Sequence, residues 1–202
     1  MKAVIIMYTI KNNIKNELII KNSKFITLLI KINDIEEINK YLEKAKIDYP
    51  KATHYVYAYI LGDIKKASDD KEPSNTAGAP ILNVLEKENI NKVLVIVIRY
   101  FGGIKLGAGG LLRAYTKSVT EPLNNVELIK LIPGKKIEIE IDYENEKHIN
   151  YILRNSIIIN QEFNEKIKYT VLIKDNELDN ISKYSYKIIS NELIEEKDTI
   201  LK

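Results

Sequence analysis

The most restrictive stretch of this chain is Val93 to Ile98, six apolar residues in a row inside "KVLVIVIRY". A strand of that composition has no polar face, so it belongs in the middle of a sheet covered on both sides. The segment after it is equally constrained. Gly102, Gly103, Gly107, Gly109 and Gly110 crowd into "FGGIKLGAGG". The chain then enters a helix with an apolar stripe of Leu111, Leu112, Tyr115 and Val119, ended by Pro122.

A glycine-rich turn between strand and helix raises the question of phosphate binding. A P-loop needs Lys and Ser/Thr after its second glycine, and Ala108 and Gly109 stand there. The dinucleotide pattern GxGxxG fails because Leu112 replaces the third glycine. A more general property survives: such a turn exposes backbone N–H groups at the positive end of a helix. From Asn89 to Thr120 the chain carries Lys92, Arg99, Lys105, Arg113 and Lys117 and no Asp or Glu. Arg113 and Lys117, four apart, project from one helix face. Two readings stay open here. The glycines permit positive φ and close packing beside solvated cations, or Arg99, Lys105, Arg113 and Lys117 form an anion-binding or nucleic-acid surface on a glycine scaffold. Tyr100, Phe101 and Tyr115 are read as core in preference to base-stacking groups.

The second dense stretch, "ASDDKEPSNTAGAP", clusters Asp69, Asp70 and Glu72. Carboxylates in that pattern suit magnesium or acid–base work, or a solvated, helix-capping turn. Neither Ser68 nor Ser74 sits in a Gly-x-Ser-x-Gly elbow. Ser68, Asp69, Asp70, Glu72 and His54 therefore form a secondary polar candidate site, with His54 expected to be a hydrogen-bonded structural histidine.

The chain has no cysteine, which excludes disulfides, thiolate zinc sites and a cysteine nucleophile. Its two histidines offer little for a histidine metal site, and no metal or cofactor is expected. The longest apolar run is far short of the roughly 20 residues of a membrane span, so a cytoplasmic protein without membrane association is expected. Residues 1–134 hold 20 Lys and Arg against 14 Asp and Glu, whereas residues 135–202 hold 11 against 14. That asymmetry suits an anionic partner for the first part.

"NELIIKN" and "SKFITLLIKI" predict a hairpin, Asp34 to Pro50 an amphipathic helix, and "THYVYAYILG" a strand. A polar loop then leads to a helix over 79–88. Pro133–Gly134 is the clearest punctuation and predicts a boundary between domains 1–134 and 135–202. The tail predicts strand (137–142), helix (144–155), strands (157–163 and 166–173), helix (178–190) and a last strand. That βαββαβ order is ferredoxin-like, so the fold class is α+β with two domains.

The stretches "ATHYVYAY", "ASDDKEPSNTAGAPIL" and "VIRYFGGIKLGAGGLLRAYTKSV" together resemble the bacterial YigZ branch of the IMPACT family. The resemblance implies a first domain with the fold of ribosomal protein S5 domain 2, shared with domain IV of elongation factor G, and a tail similar to domain V of that factor. Those relatives work against RNA on the ribosome. The resemblance thus implies a non-enzymatic, translation-linked regulator whose partner is RNA or a ribosome-associated protein. Family members usually begin near "YTIKNN", which makes Met7 an alternative start to Met1. Two rival readings remain: an enzyme binding a phosphorylated or nucleotide substrate with Asp69, Asp70 and Glu72 facing the glycine loop, and a protein-interaction module with an apolar, aromatic patch.

Overall fold

The computed structural model describes the backbone of residues 6–201 and the side chains of residues 6–196. Residues 1–5, on which the question of an alternative start turns, lie outside the described residues. The chain divides into two units, one built on residues up to Lys130 and one spanning Leu131–Glu196.

In the first unit, β1 (Met7–Ile10), β2 (Ile14–Ile20) and β3 (Ser23–Lys31) lead to α1 (Ile35–Asp48). β4 (His54–Leu61), β5 (Ile64–Ser68), α2 (Gly78–Lys87), β6 (Val93–Tyr100) and α3 (Ala108–Leu123) come next along the chain. The main sheet runs β2-β3-β6-β4-β5, with every neighbouring pair antiparallel. The apolar run of β6 is the central strand, and its alternation feeds two cores. Val93, Val95 and Val97 join a cluster with Ile81 and Leu85 of α2 and Leu111, Tyr115 and Val119 of α3. Leu94, Ile96 and Ile98 join another with Ile38 and Ala45 of α1. The unit is therefore three layers, helix on sheet on helices.

Local chemistry fixes the ends of these elements. Asp34 and Glu37 form a reciprocal capping box at the start of α1, each accepting from backbone N–H groups of the other's turn. Lys21 and Asn22, at φ 45° and 63°, supply the left-handed turn between β2 and β3. Two strands depart from the sequence reading. β1 has no counterpart in it, and β5 replaces the expected polar loop, because an edge strand such as "IKKAS" needs no apolar face to pair with β4. Pro122 lies inside the last turn of α3 and does not mark its end.

The second unit contains β7 (Leu128–Ile141), α4 (Glu146–Ile152), β8 (Ile157–Phe163), β9 (Ile167–Lys174) and β10 (Tyr186–Leu201). The strands lie in the order β10-β7-β9-β8, so the first and third strands of the unit are central, as the ferredoxin-like reading requires. Its core is Ile137, Ile139 and Ile141 of β7 and Ile167, Tyr169, Val171 and Ile173 of β9, packed by Ile149, Leu153 and Ile181.

One expectation fails here. The helix predicted over 178–190 is a short 3-10 segment, Asp175–Ile181, and β10 starts at Tyr186. Pro133–Gly134, read as punctuation between domains, lies within β7, with Gly134 paired in register with Lys174. A Cβ on Gly134 would lie 2.6 Å from the carbonyl oxygen of Ile173, so this glycine serves close strand packing. Among the described residues, no helix is long and apolar enough to cross a membrane.

Candidate functional site

Arg99 continues the alternation of Val93, Val95 and Val97, so its side chain turns toward α2 and α3 instead of solvent. The sheet register places it directly beside Phe25 of β3 and His54 of β4. Its guanidinium is buried, lies 5.4 Å from the centre of the Phe25 ring, and donates from Nη1 to Oε1 of Glu72 at 2.6 Å. Both side chains of this ion pair are about 95 % buried, with 5 % and 4 % exposed. Tyr115 of α3 donates its hydroxyl to the same Glu72 oxygen at 2.7 Å. Burial first, and the Glu72 carboxylate second, push the Tyr115 phenol far above its ordinary range, so it stays a donor.

His54 completes the cluster. Its Nδ1 lies 2.8 Å from the carbonyl oxygen of Asp70, which can only accept, so Nδ1 carries the proton. Nε2 then faces Oε1 of Glu72 at 3.7 Å. Ser23 adds a further link, its Oγ accepting from Arg99 Nη2 at 3.3 Å and from the Gly102 N–H at 3.2 Å.

The polar loop delivers Glu72 to this cluster. Asp70 and Lys71 take left-handed φ values of 41° and 69°, a costly turn that drives Glu72 inward. Asp69 accepts from the N–H groups of Asn75, Ala77 and Gly78, capping α2 from outside the helix. Asp70 accepts from the N–H of Tyr55 at 2.6 Å, and the Ser68 hydroxyl accepts from the N–H of Asp70 at 3.3 Å. The three carboxylates thus turn to three different partners and do not converge on one ligand position. The sequence reading missed the Arg99–Glu72 pair, although the period-two position of Arg99 was a usable signal for a buried cation needing a counter-ion.

Arg99 must therefore be withdrawn from the exposed basic surface. Lys105 and Arg113 are exposed and pair with no carboxylate among the described residues. Lys117 is exposed too, but Glu121 lies 3.3 Å away one turn on. Gly107 is the N-cap of α3 at φ 70°, with no side chain capping the first N–H groups. Gly109 and Gly110 lie in the first turn, and a Cβ at Gly109 would meet only the Arg113 Nη1, at 3.6 Å. Gly103, at φ 83°, turns the loop. Gly102 is required by packing, since a Cβ there would lie 2.0 Å from the carbonyl carbon of Asn22.

The loop also exposes apolar groups. Phe101 is 46 % exposed, against the expectation of a core residue, and the buried Arg99 guanidinium lies 5.6 Å from its ring centre. Once the chain leaves the sheet after Tyr100, strand alternation no longer dictates which way a side chain faces. Tyr115 is core as expected, and Tyr100 is half-buried with its hydroxyl donating to the Pro50 carbonyl.

The stretch that holds this cluster and loop matches a known domain: residues 21–123 fit the Impact N-terminal domain. The chain belongs to the IMPACT family. IMPACT family member YvyE of Bacillus subtilis is 36 % identical over 182 residues, covering 88 % of this chain and 84 % of that one. IMPACT family member YigZ of Escherichia coli is 32 % identical over 139 residues, covering 66 % and 68 % of the two chains. A solved crystal structure of a hypothetical protein aligns at TM-score 0.70 and 26 % identity, over 92 % of this chain and 97 % of its own. In this IMPACT family member the glycine-rich and acidic motifs thus divide between a buried charge cluster and the loop that the cluster supports.

Proposed function

We propose that the protein is a non-enzymatic, translation-linked regulator that binds RNA through the glycine-loop face, with Lys105, Arg113 and Lys117 on phosphates and Phe101 as a stacking surface. The observation that carries this reading is an acid-free stretch that exposes Lys105, Arg113 and Lys117 together with the Phe101 ring, 5.6 Å from whose centre lies the guanidinium of the buried Arg99–Glu72 pair. Cations positioned around an aromatic platform are the chemistry of single-stranded nucleic-acid binding. Gly103, Gly107, Gly109 and Gly110 give the backbone its close approach to the ligand, and Gly102 seats the loop against the β2–β3 turn. Arg99 acts from inside, fixing the base of the loop through Glu72 and Ser23.

Membership of the IMPACT family supports a translation-regulator role, and the ribosome-working folds that the family resemblance implies for its domains favour RNA as the ligand. A ribosome-associated protein is the second reading, favoured by Ile104 and Leu112, which are exposed as Phe101 is. The enzyme reading loses ground because Asp69, Asp70 and Glu72 point to separate structural partners.

Fluorescence anisotropy with an RNA hairpin tests the proposal. The native chain is expected to bind, and a Lys105→Glu, Arg113→Glu, Lys117→Glu variant with an unchanged circular-dichroism spectrum is expected to bind at least about tenfold more weakly. Equal binding by both would overturn it. Capture of a ribosomal protein through Phe101, Ile104 and Leu112 without RNA affinity would favour the second reading.

A further inference from the structure

The second unit carries nine Lys and Arg against thirteen Asp and Glu between residues 131 and 196, and two of those cations share one cavity. His148 of α4, Arg154 after it, and Lys183 line one cavity of about 480 Å³. Asn155 and Asn180 add amide groups to the wall, and Glu177 contributes the cavity's one carboxylate among the described residues. A concavity holding two permanent cations and two amides, in a unit that is acidic as a whole, selects a compact anion.

The cationic side chains are already oriented. Arg154 donates from Nη1 to the Tyr151 carbonyl at 2.8 Å, and its guanidinium lies 4.2 Å from the Tyr151 ring centre. That contact holds the planar fork while leaving its other N–H groups for a ligand. Lys183 donates to Nε2 of His148 at 3.2 Å, so that ring nitrogen is the acceptor and Nδ1 carries the proton toward the Tyr184 hydroxyl at 2.8 Å. An anion entering the cavity would take the Lys183 ammonium as a donor, and Asn155 or Asn180 would supply neutral donors for its remaining oxygens.

We propose that this cavity is a binding site for a single phosphate group of a small ligand. The geometry favours a small phosphate ester over a nucleic-acid strand, because the cations converge on one cavity of ligand size and do not form a stripe that follows several phosphates. The site is independent of the glycine-loop face and goes beyond the RNA-binding reading.

Inorganic phosphate is the probe. In a residue-resolved NMR titration of the full chain at constant ionic strength, phosphate is expected to give saturable shifts at His148, Arg154, Asn155, Asn180 and Lys183, with a Kd of about 1 mM or tighter. An Arg154→Glu, Lys183→Glu variant is expected to weaken binding about tenfold or more, the loss of a charge-assisted hydrogen bond. Should that variant unfold, Asn180→Asp, which adds a second carboxylate to the wall, is expected to produce the same loss. A Lys105→Glu variant keeps the phosphate response. No saturable shift at these residues, equal shifts with chloride, or a response that both cavity variants retain would overturn the proposal.

Discussion

Replacing Arg99 with methionine is expected to cost about 3–5 kcal/mol of stability, the penalty of leaving a buried carboxylate without its partner. Glu72 accepts from both Arg99 and Tyr115 in a site with almost no solvent, so no water can take the place of the guanidinium. A Glu72→Gln, Arg99→Met double variant is expected to be more stable than the sum of the single losses, because the charge that needed compensation is gone. Urea unfolding of the four proteins measures this coupling. A loss under about 1 kcal/mol for Arg99→Met, or strict additivity in the double variant, would show that Arg99 is a solvated surface cation after all.

Gly102→Ala is the second large effect. The new methyl carbon would have to occupy space held by the backbone of the β2–β3 turn, 2.0 Å from the carbonyl carbon of Asn22 and 2.4 Å from the Ser23 nitrogen. Neither group is the end of a flexible side chain, so the loop and the turn must part. A loss of about 3 kcal/mol is expected, the upper end for overpacking. The Gly102 N–H would also withdraw from the Ser23 hydroxyl, loosening the link to Arg99. Gly109→Ala has space for its methyl group and is the matched control, expected to change stability by no more than about 1 kcal/mol. Equal losses in both variants would rule out the close-packing role assigned to Gly102.

The parts of the fold legible in the sequence are those in which one physical requirement dominates. Six apolar residues with no polar face left β6 only a central position, and the Asp34 cap marked the start of α1. Where two requirements compete, pattern reading fails. Ile181, Tyr184 and Ile188 mimic helical spacing, yet Ile181 anchors a 3-10 turn and Tyr186 and Ile188 already belong to β10. Gly134 looks like punctuation because glycine usually permits a turn, whereas here it makes room for a neighbouring strand.

The candidate site shows the same division. The glycine motif located the loop, and the acid-free run located its exposed cations. The pairing of Arg99 with Glu72 depends on two segments that lie 27 residues apart in sequence. It needed the register of three strands to bring Phe25, Arg99 and His54 side by side. Charge counts along a sequence cannot separate a cation that meets solvent from one that meets a buried carboxylate, but strand periodicity can.

If the glycine-loop face binds RNA through a small number of phosphate contacts, its affinity must fall with salt by an amount that counts those contacts. With Lys105, Arg113 and Lys117 as the contacts, a plot of log affinity for an RNA hairpin against log salt is expected to have a slope of about −2 to −3, at 0.7–0.9 per phosphate. Arg113→Gln is expected to reduce the magnitude of that slope by nearly one. An affinity that does not change with salt, or a slope that Arg113→Gln leaves unaltered, would remove the glycine-loop face as the RNA-binding surface.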